Sequence, residues 1–418
     1  MSSRISRWKL RPELMHRPTV RHAAGPADEG KVSWLELFYD LAFVAVIGTV
    51  GHVLVKPDSD YRILGQFLLF FIPVWWAWVG QAFYLSRFQH DALSSRVTTL
   101  AQIMVLVVMA TSVAPAVKGE TALFAGCYAA LRVILIGQYL YTAWHVPESR
   151  PLTTRYAAGF SVAAGLWIIS TFVPAPVTYG LWLTALLIDF FTPFTAGVHN
   201  VRIPPHAAHI PERFGLFTII VLGEEVLAAM RGLSEAVWTP VNLAMAALGL
   251  VLAFSVWWIY FEGVRGADHV RLNSSSVSNF RRWLYSHLPL HLGIVVMAMG
   301  FERFLLKEKP PIEARIEFAV AIAVIAVCMH LLFNTRNDRS YRKEFHWYTR
   351  PHNVLTWGMV LAVPFAWVLP PLPLMALYTG AFVGHVVLTW RMSPEAQMAA
   401  VRQEVEAAQA ASTSVNHP

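Results

Sequence analysis

Glu36 and Asp40 are four residues apart, which on a helix sets one above the other on a single face. Two close carboxylates hinder each other's ionisation, the chemistry of a proton or small-cation site. The same pair can also be a helix-start acid favoured by the dipole and matched by loop arginines. His209, Glu212 and Arg213 open another apolar stretch, either as part of such a site or as interfacial caps and an Arg–Glu pair. Glu224 and Glu225 follow about 18 Å further along at 1.5 Å per residue. Neighbouring residues point to different sides of a helix, so at least one of these acids faces protein, lining a path or closing a salt bridge. Gly223 before them would admit a close neighbouring helix. Arg132 stands mid-segment with no acid near it in sequence and needs Glu224, Glu225 or Asp189 from another helix. Such a pair, Asp189 included, is either architectural or an anchor or gate for charge.

His287 and His291 have the i,i+4 spacing of a helical metal pair, but the Glu of HExxH is missing and Pro289 lies between them. A zinc or iron ion there would need His330, His385 or Glu302 as further ligands. Histidines that hydrogen-bond across helices are the plainer reading, so neither metal nor cofactor is expected. Trp75, Trp76, Trp78, Trp257 and Trp258 read as interface belt and packing rather than as an aromatic cage for cations. Glu262 and Glu302 fall at helix ends, where water reaches them. Cys127 and Cys328 sit in apolar runs as small buried hydrophobes.

The elements that must carry these residues follow from composition. Of 418 residues, 56% are hydrophobic and 14% charged, against about 25% charged in soluble domains. Too little charge is present to cover a water-facing surface, which excludes a cytosolic enzyme or a coiled coil. The net charge of +7 is spread over segment ends rather than gathered in a patch, so nucleic acid is not an expected partner. Nor is there a Gly-rich phosphate loop, a GxSxG elbow or a kinase motif set. Residues 1–31 are basic and hold no apolar run of signal-peptide length, so they read as a cytoplasmic tail. From Ser33 onward, stretches of about 20 residues suited to roughly 30 Å of hydrocarbon alternate with short polar breaks. Twelve are expected, over 33–55, 62–85, 97–117, 121–144, 156–173, 177–197, 212–230, 240–262, 283–302, 314–333, 352–369 and 372–390. Those beside Pro174/Pro176 and Pro370/Pro371/Pro373 could instead be re-entrant. With both termini inside, 24 Lys and Arg fall on the cytoplasmic side and eight outside, as the positive-inside rule requires.

Short motifs recur in order. Glu36-Leu37-Phe38 matches Glu212-Arg213-Phe214; Val74-Trp75-Trp76 matches Val256-Trp257-Trp258; Val107-Val108-Met109-Ala110 matches Val295-Val296-Met297-Ala298. The expected fold is therefore an all-α polytopic membrane protein of about 12 transmembrane helices, arranged as two parallel six-helix repeats. Its parts are a basic tail (1–32), a first repeat (33–198), a second repeat (199–391) and a polar tail (392–418). Transporters built from parallel repeats place their substrate sites between the halves.

Val32–Gly48 (VSWLELFYDLAFVAVIG), His209–Val226 (HIPERFGLFTIIVLGEEV) and Ser286–Glu302 (SHLPLHLGIVVMAMGFE) resemble the bacterial low temperature requirement protein A family. That resemblance implies a bacterial multi-pass membrane protein associated with growth in the cold, and no particular molecular activity. Helix one also resembles two-repeat, six-helix potassium channels of lysosomal type, although their Phe-Ser-Asp triplet is replaced by Phe38-Tyr39-Asp40. The function expected is a secondary transporter or ion-conducting protein of the inner membrane. Its partners would be the lipid bilayer and a proton, small cation or small molecule, and its oligomeric state is open. A membrane-embedded enzyme or lipid-modifying factor, and a structural or sensory protein, are the alternatives.

Overall fold

A computed structural model of the chain describes residues 17–21, 32–55, 61–89, 93–174, 176–263, 277–307, 309–333, 335 and 346–391. The polar C-terminal tail, and all of the basic N-terminal tail except residues 17–21 and 32, lie outside the described residues.

In lipid each backbone N–H and C=O must find its partner within the segment, so apolar runs of this length become helices. They are α1 (Trp34–Gly51), α2 (Tyr61–Arg87), α3 (Leu93–Val117), α4 (Ala122–His145), α5 (Arg150–Ser170) and α6 (Val177–Thr195). After a five-residue α7 (Val198–Arg202) come α8 (His209–Glu235), α9 (Pro240–Trp258), α10 (Val277–Leu306), α11 (Ile312–Phe333), α12 (His346–Leu361) and α13 (Pro371–Arg391). Among the described residues, nine of these helices are long and apolar enough to cross a membrane. The long helices that fall short each have a visible reason. α5 opens with Arg150, two threonines and Arg155; α8 spreads Glu212, Arg213, Glu224, Glu225 and Arg231 along its length; α12 has 16 residues. An all-α, multi-pass membrane architecture is thus what this sequence folds into.

One expected segment is built differently. The run 352–369 is not a single helix: α12 stops at Leu361 and a 3₁₀ turn, Val363–Trp367, follows. Pro364 stands at the start of that turn, where its missing N–H leaves no α-helical hydrogen bond unmade.

Large apolar side chains cover the outside, among them Phe172, Val237, Leu361 and Val368. In water such a surface would aggregate; against acyl chains it is the appropriate coat. Of the tryptophans expected as belt and packing, those of α2 serve packing, while Trp257 and Trp258 are half-buried at the end of α9. Trp75, Trp76 and Trp78 are buried in mid-helix. The exposed tryptophans at helix ends are Trp34, Trp144, Trp238 and Trp390 instead.

The chain divides into two compact units, residues 1–221 with 267–281, and residues 222–266 with 282–418. In the first unit, Tyr84, Phe88, Tyr139, Tyr156 and Phe160 form an aromatic cluster joining α2, α4 and α5. A two-residue strand, β1 (Thr19–Val20), pairs antiparallel with β2 (Phe88–Gln89) at the end of α2. Arg87 is buried there, its Nε donating to the Ile203 carbonyl at 3.0 Å and its Nη2 to Asn200 Oδ1 at 3.0 Å. In the second unit, α10 and α11 meet through Phe304 against Phe318 and through the Arg303–Glu317 pair at 2.6 Å. Arg303, one residue beyond the span expected over 283–302, is therefore a buried helix residue.

Candidate functional site

The first cluster is built on the opening turns of α1 and α8. Ser33 caps α1: its Oγ accepts from the Glu36 N–H at 3.3 Å, and the Ser33 N–H donates to Glu36 Oε2 at 2.8 Å. This S-x-x-E box satisfies two N–H groups that helix geometry leaves orphaned. The Glu36 carboxylate also meets His209 Nε2 at 3.2 Å and stands 4.0 Å from Arg213 Nη1. One turn deeper, Asp40 has no exposed surface; its Oδ1 accepts from Arg213 Nη2 and from Trp78 Nε1, the latter at 2.7 Å. Glu36 and Asp40 do share a face, as their spacing requires. Their charge is answered by Arg213 and His209 of α8 rather than by loop arginines. Glu212, on the same turn, is half-buried.

Arg132 finds Asp189. Of the three acids that could have served it, α6 supplies the partner, with Arg132 Nε and Nη2 each 3.0 Å from Asp189 Oδ2. The Tyr128 hydroxyl, one turn before Arg132, donates to the same carboxylate oxygen at 2.7 Å and accepts from Arg132 Nη2 at 2.6 Å. All three side chains are buried. Gly80 of α2 makes room: a Cβ there would stand 2.8 Å from Arg132 Nη1. Arg132 Nη1 and Asp189 Oδ1 have no hydrogen-bond partner among the described residues.

The second unit holds the later acids of α8. Glu224 lies 3.8 Å from Arg231 Nη2, and Arg231 also reaches Glu302 Oε2 at 2.8 Å. Glu302 is buried, which corrects the expectation that water solvates it at a helix end. Glu225 is different. It has no exposed surface, and neither carboxylate oxygen has a hydrogen-bond partner among the described residues. Its helix neighbours Val221, Leu222, Ala228 and Ala229 are apolar and buried. Gly223 does not serve a close helix approach, since a Cβ there would meet nothing within 4 Å.

His287 is committed on both ring nitrogens, Nε2 to the Tyr260 hydroxyl at 2.9 Å and Nδ1 to the Trp283 carbonyl at 2.7 Å. That is a cross-helix histidine rather than a ligand in waiting. Among the described residues no three His, Cys, Asp or Glu side chains are grouped to hold a metal ion.

Sequence reasoning missed Trp78 as a donor to Asp40 and Tyr128 as the third member of the Arg132 pair. Tyr128 was detectable at four residues before Arg132; Trp78 was hidden among aromatics of ordinary packing appearance. Chemically, the paired clusters can lock helices, whereas an unpartnered carboxylate can take up a cation or a proton.

Comparison with known proteins follows the same lines. The family model described as bacterial low temperature requirement A protein (LtrA) matches residues 31–388. An uncharacterized protein of Rhizobium meliloti (strain 1021) is 27% identical over 288 residues, covering 65% of this chain and 69% of the relative.

Proposed function

We propose that this chain, which belongs to the bacterial low temperature requirement A family, is a secondary transporter or ion-conducting protein in which Glu225 takes up and releases a proton or small cation. One observation carries this reading. Glu225 is a fully buried carboxylate without a hydrogen-bond partner among the described residues, whereas Asp40, Asp189 and Glu302 are each bonded to an arginine. An ionised carboxylate in an apolar membrane environment costs several kcal/mol unless it is compensated, and a bound proton or cation removes that cost. Intramembrane acids kept under these conditions mark ion and proton pathways. Glu224, which lies beside the partly exposed Arg231, is the group through which charge reaches or leaves Glu225. Twelve spans with both termini cytoplasmic in the inner membrane, and a duplication of six helices, belong to the same proposal. The paired motifs and the 24-to-eight distribution of basic residues support them.

A structural role is the second reading, favoured by the buried pairs Asp40–Arg213 and Asp189–Arg132. Proteoliposomes under a pH or monovalent-cation gradient separate the two. Wild-type protein should carry flux, and Glu225→Gln, of similar shape, should abolish it while remaining folded by gel filtration. No flux of protons or monovalent cations in the wild type, or full flux in Glu225→Gln, overturns the transport reading.

A further inference from the structure

Among the histidines of the second unit that the transport reading leaves unused, three lie on successive helices. His330 lies in the last turn of α11, His352 in the second turn of α12, and His385 six residues before the end of α13. His352 Nδ1 and His385 Nδ1 face each other at 2.7 Å, with ring centroids 4.9 Å apart and planes at 30°. Phe333 lies at 26° to the His352 ring and Phe382 beside His385, each with centroids 6.3 Å apart. α11, which carries His330, packs against α12. His385 is buried while His352 and His330 are half-buried, so the pair can be approached from the helix ends.

In a neutral pair, one ring donates its Nδ1–H and the other accepts, so a single hydrogen occupies the gap. Two nitrogen lone pairs aimed at one point are also what a borderline divalent cation needs. Zinc binds imidazole nitrogen at about 2.0–2.1 Å, which at a tetrahedral angle sets two donors about 3.3 Å apart. The rings need to separate by about 0.6 Å from where they stand, a small side-chain adjustment. We propose that His352 and His385 bind a divalent transition-metal ion of the zinc class. As the ion enters, the hydrogen between the rings transfers through solvent to Nε2 of the ring that held it. Both ligands are then neutral imidazoles, and no net proton is released. With no third ligand-type side chain already grouped there among the described residues, water completes the coordination. Such a site exchanges its ion rather than locking it in place.

The test uses the full chain, untagged, purified in detergent. Equilibrium dialysis against Zn²⁺ with metal quantitation, and absorption after Co²⁺ loading, read the site directly. One ion per chain is expected, with Co²⁺ showing the intense d–d bands of low coordination number. His352→Gln with His385→Gln should remove that ion, and His287→Gln should leave it unchanged. Gel filtration of each variant, and His385→Gln alone as a milder change, guard against misfolding. Absence of bound ion in the wild type, equal stoichiometry in the double variant, or loss in His287→Gln alone overturns the proposal.

Discussion

Asp40→Asn changes one oxygen to an amide and leaves the shape of the side chain intact. In the native protein Asp40 has no exposed surface and bonds to Arg213 and to Trp78 Nε1. The asparagine keeps a carbonyl for Trp78 but removes the charge facing Arg213, whose next acid, Glu36, stands 4.0 Å away. Breaking a buried pair by removing one partner costs about 3–5 kcal/mol, because the other charge stays in the protein uncompensated. Glu36 offsets part of this, so about 3 kcal/mol is expected, a factor of roughly a hundred in the folding equilibrium. Removing both charges, in Asp40→Asn with Arg213→Met, should cost less than the sum of the two single changes, since no buried charge is then stranded. The measurement is a double-mutant cycle by reversible unfolding in mixed micelles, followed by tryptophan fluorescence. An Asp40→Asn loss under 1 kcal/mol, or additive single and double changes, would refute the inference that these groups are energetically coupled.

Other outcomes follow from the same geometry. Gly80→Ala places a methyl 2.8 Å from Arg132 Nη1 and 2.9 Å from Leu135 Cδ2; an overpacking cost of about 1–3 kcal/mol should appear as a lowered thermal midpoint in detergent. Ser33→Ala removes the cap of α1 and should cost about 1 kcal/mol by the same unfolding assay. Glu302→Gln should cost at most about 1 kcal/mol, because its partner Arg231 is 30% exposed and solvent screens the pair; a larger loss would show that Arg231 is shielded from solvent.

The membrane class was legible because it is a bulk property: apolar runs of one length repeat, and only helices satisfy their backbones in lipid. Glu36, Asp40, Arg132, Asp189 and Glu225 stood out for the converse reason, since each is a charged type where charge is expensive. Their pairing was not legible. Arg132 had three equally plausible acids in sequence, and only the packing of α4 on α6 selects Asp189. Glu302 looked solvated because it falls near a helix end, whereas its own side chain is buried and meets the partly exposed Arg231. The His352–His385 contact joins two helices through residues 33 positions apart, a separation at which no spacing rule applies.

Asp40 and Arg213 are separated by 173 residues of chain, which sets an order of events during biogenesis. At about 5–20 residues per second of synthesis, the first helix must wait about 9–35 s before the arginine emerges from the ribosome. Trp78, only 38 residues downstream, arrives much sooner and offers its indole N–H in the interim. By this order of synthesis, the indole is available to Asp40 before the α8 turn has been made. Truncation before residue 213 should leave α1 poorly retained by the insertion machinery, while a chain ending after α8 should hold it.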